Sequence, residues 1–266
     1  MNRVPDEIAD ALAQARPRLG PLGHRLLWFD DIGSTNDRAL AWAEGGADEG
    51  CLVLADAQSA GRGRMGRSWA SPAGAGIYVS AVLRPPPIAM PLLTMAAGLG
   101  VSEGIAAATG LQTHVKWPND VFVAGRPPRK VAGLLAEAGS AGDRVLHVVL
   151  GIGINVLPAA YPPDVAARAT SLEGELGRAV PRAAVLAECL AGVWQRYEML
   201  ASGRGDQVLA AWRARAAVTF GRRVEWDEPG GTRRGIARDV DADGALLVAG
   251  ESGLVRLTAG EVRWAE

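Results

Sequence analysis

Three stretches of this chain concentrate residues suited to holding anions. Ala57 to Ala70 reads AQSAGRGRMGRSWA and sets Arg62, Arg64 and Arg67 among Gly61, Gly63 and Gly66 with no acidic residue. Glycines let successive backbone N–H groups converge on one anion, and guanidinium groups add fixed positive charge, which suits phosphate. A surface loop with solvated arginines is the plainer alternative. The same glycines spell G-x-G-x-x-G, but a dinucleotide fingerprint requires a helix at its end and an acid about 20 residues further on. Here Ser71-Pro72 follows, and Ala81 to Pro87 holds no acid.

His114 to Val121, HVKWPNDV, is the second stretch. A strand ending near Lys116 and a turn set by Pro118 would present Asn119 and Asp120 together. These could hold hydrated Mg²⁺ or the polar atoms of a nucleotide, with Lys116 on phosphate. Pro-Asn-Asp is also ordinary turn chemistry. In the third stretch, RKVAGLLAE from Arg129 to Glu137 precedes LGIGINV. At period two, Gly151, Gly153 and Asn155 share one strand face while Leu150, Ile152, Ile154 and Val156 share the other. One face is core, and the other is bare backbone followed by an amide, as expected where a ligand lies flat. Gly133, three residues beyond Lys130, would extend that floor under one strand register. Gly33 to Asp37, GSTND, is weaker because Ser34 and Asp37 already make a capping-box pattern.

The elements that must position these groups alternate along the chain. Arg25–Phe29 reads as a strand, Asn36–Glu44 as a helix and Cys51–Ala55 as a buried strand. Gly76–Leu83 is a strand, Ile88–Thr109 a long helix of small residues and Thr113–Trp117 a strand. Val131–Ala138 and Val145–Val156 follow as a pair joined by a loop over Gly139–Arg144. Pro181–Ser202, with Pro181 in its first turn, and Asp206–Ala217 read as helices. From Thr219 onward short strands are punctuated by Gly and Asp turns, which reads as a small β-barrel.

Composition narrows the function classes. The 266 residues carry 28 basic against 29 acidic groups and are 48% hydrophobic, so a globular protein without a global field for nucleic acid or anionic lipid is expected. The final 48 residues hold 7 Arg against 9 acids and lack a nucleic-acid footprint. Ile88–Val101, interrupted by Pro91, falls short of the roughly 20 residues that span a bilayer. No signal peptide is legible, and Cys51 and Cys189 do not make a disulfide framework, so a cytoplasmic location is expected. Neither these cysteines nor His24, His114 and His147 have metal-ligand spacing. All basic residues except Lys116 and Lys130 are arginine, and asparagine occurs only at 2, 36, 119 and 155. Five of these scarce residues fall in the stretches above, which invites a chemical reason.

GSTND, AQSAGRGRMGRSW, VKWPNDV, KVAGLLAE and GIGINV, in this order, resemble the biotin protein ligases. The resemblance implies an α+β fold, with a catalytic domain over 1–218 whose mixed sheet is flanked by helices, class II synthetase-like and shared with lipoate ligases. It further implies an SH3-like β-barrel over 219–266. The implied reaction joins biotin and ATP into biotinyl-5′-AMP and pyrophosphate, then passes biotin to a lysine of the biotin carboxyl carrier protein of a carboxylase. Carried over by motif, Ser34, Thr35, Asn36 and Gln58 would hold the ureido end of biotin, with Gly61, Arg62, Gly63 and Arg64 over its carboxyl end. Lys130 would be the reactive-centre lysine beside Gly133, with Arg64 and Asp120 also catalytic. Arg64, Arg67, Trp69, Lys116, Asn119, Asp120 and Asn155 would serve ATP, with Asp120 a candidate Mg²⁺ contact or base.

Some relatives of this kind carry an N-terminal DNA-binding domain of about 60 residues, too large for the stretch before the first strand here, so no nucleic-acid or membrane partner is expected. A homodimer is compatible with the resemblance. The arginine loop is expected to be disordered until ligand orders it. Pro127-Pro128 suggests a longer turn before Lys130 than the pattern usually has. A lipoate ligase or octanoyl transferase, and a non-catalytic biotin or nucleotide binder, are the alternatives.

Overall fold

The computed structural model describes residues 2–125, 127–142, 144–159, 161, 163–228, 231–251, 253–258 and 262–264. Its main sheet has seven strands in the order β1-β2-β3-β7-β6-β5-β4. These are Leu26–Ile32 (β1), Leu52–Gln58 (β2), Gly76–Leu83 (β3), Thr113–Lys116 (β4), Asp120–Val123 (β5), Arg129–Ala141 (β6) and Arg144–Asn155 (β7). Only β1 and β2 run parallel, linked by a crossover helix, and every other pairing is antiparallel. The sheet is therefore mixed, as expected.

Helices cover both faces. Asp6–Ala15 (α1), Leu93–Thr109 (α3) and Arg182–Ala201 (α6) share a core with Leu150, Ile152 and Ile154 of β7. Thr35–Glu44 (α2) packs on the opposite face, where Ala39 and Ala43 meet Val53, Val82 and Val149. The small residues of α3 allow close approach to α6: a Cβ on Gly104 would lie 2.4 Å from Cys189 Cα. Short helices at Pro163–Ala166 (α4) and Leu172–Leu176 (α5) follow the main sheet, and Gly205–Arg215 (α7) precedes the tail.

The tail forms an antiparallel sheet in the order β11-β10-β9-β8-β12. Its strands are Arg223–Glu228 (β8), Gly231–Val240 (β9), Leu246–Gly250 (β10), Gly253–Leu257 (β11) and Arg263–Trp264 (β12). This sheet does not stand apart. Val224, Trp226, Val240 and Val248 pack in one cluster with Leu99 of α3, Trp117 and Trp212 of α7.

Several boundaries differ from the sequence reading. The expected helix over Ile88–Thr109 is a 3₁₀ segment, Pro87–Leu92, followed by α3. Pro91 lacks the N–H and leaves no room for a continuous α-helix. By length and composition the whole stretch Pro87–Thr109 would suffice to cross a bilayer, against the sequence count, but 72% of its most apolar window is buried inside the molecule. The β6–β7 strands run to Ala141 and from Arg144, so they take in most of the loop expected over Gly139–Arg144; position 143 lies outside the described residues. Pro181 is the N-cap of α6 rather than a residue of its first turn. Helix α1 was not anticipated; its Ile8, Leu12 and Ala15 are buried against the main core.

Candidate active site

Strand pairing settles the register that the sequence left open. Gly153 of β7 lies opposite Gly133 of β6, and Gly151 lies opposite Ser80 of β3. Alternation turns Leu150, Ile152 and Ile154 into the α3–α6 core and leaves Gly151, Gly153 and Asn155 on the α2 side. A cavity of about 610 Å³ opens over this bare strip. Side chains there would collide with its lining: a Cβ on Gly151 would sit 2.2 Å from Asn36 Oδ1, and one on Gly153 would sit 2.5 Å from the Trp69 ring.

The start of α2 walls one end. Ser34 is its N-cap and accepts from the Asp37 amide at 3.3 Å. The capping box is only half made, because the Asp37 carboxylate pairs with Arg62 at 2.6 Å. The Thr35 amide and hydroxyl donate to Gln58 Oε1 at 2.8 and 3.0 Å, and Gln58 Nε2 donates to Ser71 Oγ at 2.8 Å. Asn36 is buried, and its Oδ1 accepts from the Ser80 hydroxyl at 2.6 Å. Polar side chains with fixed partners thus line this end, the arrangement expected for a small polar ring.

Charge collects at the other end. Lys130 Nζ lies 2.6 Å from Asp120 Oδ1 and 5.0 Å from the Trp69 ring centroid. Its backbone is pinned by the Lys130 amide donating to the Arg168 carbonyl and the Thr170 amide donating to the Lys130 carbonyl, both at 2.8 Å. Arg64 donates to Asn119 Oδ1 at 3.2 Å, while Asn119 Nδ2 donates to the Leu134 carbonyl. Burial holds the Arg64 guanidinium below its ordinary pKa, with Asp120 opposing the shift. Asn155 Nδ2 donates to the Thr170 carbonyl at 3.0 Å, tying the segment after β7 to the cavity wall.

Lys116 sits deeper than the sequence suggested. Its ammonium lies 3.9 Å from the Trp264 ring centroid and 5.5 Å from that of Phe122, so strand β12 reaches the charged end. Burial pushes its pKa down to about 8, against the pull of Asp120. Arg67 also lines the cavity.

The glycine–arginine loop is folded over the floor. The Gly63 amide donates to the Arg67 carbonyl at 2.7 Å and the Trp69 amide to the Gly61 carbonyl at 2.8 Å, making a small hairpin. Met65 takes a left-handed φ of 57° at its tip and is 72% exposed. Trp69 lies across Gly133 and Gly153, its Nε1 buried without a hydrogen-bond partner among the described residues. Arg62 points away from the charged end and meets Glu137 at 2.7 Å.

All the sequence-derived candidates therefore border or support one cavity, at three stations: ring end, floor and charged end. Sequence reasoning missed Ser80, Glu137, Phe122, Arg168 and Trp264. Ser80 could have been noticed as a small hydroxyl in the middle of GIYVSAVL, on the strand face opposite Ile77, Val79, Ala81 and Leu83. Trp264 carried no signal, because only the tertiary fold brings it to Lys116.

No cluster of three or more potential metal-ligating side chains occurs among the described residues. At the charged end Asp120 offers a single carboxylate, the kind of donor needed by a magnesium ion that keeps its waters and arrives on a nucleotide, whereas the Asn119 oxygen is engaged by Arg64.

Comparison with known proteins agrees with this geometry. The Biotin/lipoate A/B protein ligase family matches residues 28–155, and the Biotin protein ligase C terminal domain matches residues 219–263. The biotin--[acetyl-CoA-carboxylase] ligase of Mycobacterium tuberculosis is 40% identical over 238 residues, covering 86% of this chain and 85% of that protein. The bifunctional ligase/repressor BirA of Bacillus subtilis is 36% identical over 245 residues, 91% of this chain and 74% of that protein. The biotin protein ligase from Aquifex aeolicus in complex with biotin and ATP superposes with a TM-score of 0.78 at 28% identity, covering 91% of this chain and 99% of that one. With the motif order, the bare glycine floor and both domain matches in agreement, the chain belongs to the biotin protein ligase family.

Proposed function

We propose that this protein is an ATP-dependent biotin--[biotin carboxyl-carrier protein] ligase. The observation that carries the reading is the bare strip Gly133–Gly153–Gly151, with a satisfied polar end at Asn36 and a cationic end at Lys130. A bicyclic acid would lie beside the Trp69 ring that covers Gly133 and Gly153, with its ring toward Gly151 and α2 and its carboxylate toward Lys130. In the first step a biotin carboxylate oxygen attacks the α-phosphorus of ATP, and the bond to pyrophosphate breaks. Both reactants are anionic, so positive charge preorganised between them lowers the barrier. Lys130 and Arg64 supply it. Asp120 would contact a magnesium ion arriving on ATP, and that ion would supply charge dispersal on the leaving pyrophosphate.

In the second step a neutral lysine amine of the carrier attacks the acyl carbon and AMP departs. Asp120 is the base assigned to take the amine proton once Lys130 has turned to the phosphate. Trp69 packs against the adenine, while Lys116, Arg67, Asn119 and Asn155 frame the phosphates and ribose. Residues 1–218 form the catalytic domain and 219–266 an SH3-like barrel. The enzyme acts in the cytoplasm on the carrier domain of a biotin-dependent carboxylase.

ATP–pyrophosphate exchange dependent on biotin tests this directly. Exchange with biotin and none with lipoate or octanoate is expected. Exchange driven by lipoate instead would move the chain to the lipoate branch, and no exchange with any acid would leave only a binding protein.

Two more outcomes are expected. Biotin with ATP should protect the bonds after Arg62, Arg64 and Arg67 from trypsin together, and biotin alone partly, because a bound adenylate gives Trp69 a surface and its phosphate draws the loop down. Equal cleavage with and without ligand would mean a preformed phosphate cradle. Trp264→Ala should raise the KM for ATP about tenfold with the KM for biotin unchanged, since a desolvated cation–π contact is worth roughly 1–2 kcal/mol and Lys116 would lose its placement. Equal changes in both constants would point to general destabilisation.

A further inference from the structure

Glu137 ends the KVAGLLAE stretch on β6, and both of its carboxylate oxygens are engaged. Oε1 accepts from Arg62 Nη1 at 2.8 Å, while Oε2 accepts from Arg62 Nη2 at 2.7 Å and from Asn36 Nδ2 at 2.7 Å. Arg62 Nη2 also donates to Asp37 Oδ1 at 2.6 Å. One carboxylate thus joins three elements: β6, the start of α2 and the glycine–arginine loop. Arg62 keeps 39% of its side chain exposed and Glu137 25%, so the pair is partly shielded from water.

The same contact, much shorter than the 3.5 Å bond from Asn36 Nδ2 to the Leu135 carbonyl, is the main constraint on how the Asn36 amide is turned. An ionised carboxylate only accepts hydrogen bonds, so it selects the Nδ2 end. Oδ1 is then left on the other side, against the Ser80 hydroxyl and 2.2 Å from where a Gly151 Cβ would sit. An acceptor is therefore fixed at the edge of the glycine floor. If the amide were reversed, two donors would stand there instead.

We propose that Glu137 is a positioning residue that makes this end of the cavity select a ring N–H donor. It holds the Asn36 oxygen toward the floor and, with the same two oxygens, fastens the loop through Arg62. The ligand half of this inference rests on the biotin reading, because the ureido nitrogens of biotin are such donors. The loop half does not depend on the ligand. Glutamine at 137 has nearly the same shape but would offer its own amide hydrogens to Asn36 or Arg62, which are donors already. At least one charge-assisted bond is lost and the Asn36 amide is freed to turn.

Pyrophosphate exchange titrated separately in biotin and in ATP, together with limited trypsin digestion, tests both halves on the full-length protein. Glu137→Gln should raise the KM for biotin about tenfold or more with the KM for ATP within about twofold. It should also speed cleavage after Arg64 and Arg67 by about tenfold. Arg62→Gln should reproduce the faster cleavage, and the Arg62→Gln/Glu137→Gln pair should be cut no faster than the more rapidly cut single variant, because both changes break the Arg62–Glu137 contact. Arg62→Gln also carries the test should Glu137→Gln fail to fold. A folded Glu137→Gln protein with wild-type KM for biotin, or with unchanged loop cleavage, overturns the proposal. If the unaltered protein does not exchange with biotin at all, the biotin reading falls, while the cleavage rates still decide the fastening role.

Discussion

Lys130→Ala is expected to lower biotinyl-adenylate synthesis by about a thousandfold or more while the protein stays folded. The size follows from where the ammonium stands. Lys130 is fixed at both backbone groups by the Arg168–Thr170 segment, and its Nζ lies over Gly133 beside Asp120. Removing one preorganised charge contact to a transition state costs about a hundred- to a thousandfold. Here the loss is compounded because Asp120 loses its nearest cation and its negative charge then faces two anionic reactants. A Lys130→Ala/Asp120→Asn double variant should therefore recover part of the adenylation rate, although the carrier-transfer step would then lack its base. Lys130→Arg should rescue only partly, since a planar guanidinium cannot occupy the point taken by the ammonium. Single-turnover formation of biotinyl-AMP, with thermal unfolding as the control for folding, measures this. Near-wild-type adenylation by a folded Lys130→Ala protein would remove Lys130 from the catalytic role.

Much of the site was legible because it obeys a local period. Alternation along β7 separates Gly151, Gly153 and Asn155 from the core-facing Leu150, Ile152 and Ile154 without any knowledge of neighbours. The pairing of Gly153 with Gly133 was not legible, because it depends on where the β6–β7 connection turns, and the strands run further than their propensities suggest. The arginine loop shows a different limit. As text, Arg62, Arg64 and Arg67 are equivalent cations between glycines. Folded, they separate: Arg62 is drawn to Glu137 and Asp37, and Arg64 reaches Asn119 at the opposite end of the cavity. What divides them is the position of acids and amides brought in by other elements. Lys116 illustrates the same point, because an exposed phosphate ligand and a half-buried cation against Trp264 read identically in HVKWPNDV. The break in the helix before α3 was signalled by Pro91, which costs a helix interior about 3 kcal/mol.

Removing residues 219–266 is expected to abolish activity through loss of the fold around the charged end, a stronger outcome than the impaired turnover that a detachable tail would give. The tail sheet covers residues that belong to the catalytic core. Trp117 Nε1 donates to the Gly244 carbonyl at 2.8 Å, and the Trp117 amide donates to Thr219 Oγ1 at 3.3 Å. Gly244 approaches so closely that a Cβ there would lie 2.8 Å from Met95 Sδ and 2.9 Å from Leu92 Cδ2. Trp212 of α7 meets the Phe220 ring edge-on at 5.9 Å. Leu92, Met95, Trp117 and Trp212 are all buried, and uncovering a large apolar side chain costs about 1.5–3 kcal/mol. Four such losses reach the roughly 5–15 kcal/mol that separates a typical domain from its unfolded state. Trp117 stands directly before Pro118, Asn119 and Asp120, so the turn that presents them would lose its support first. A protein ending at residue 218 should therefore show a lowered and broadened thermal transition, bind hydrophobic dye and give no biotin-dependent exchange. A cooperative, wild-type-like transition with full exchange would mean that the main sheet holds the charged end without help, and would confine the tail to contacts with the carrier.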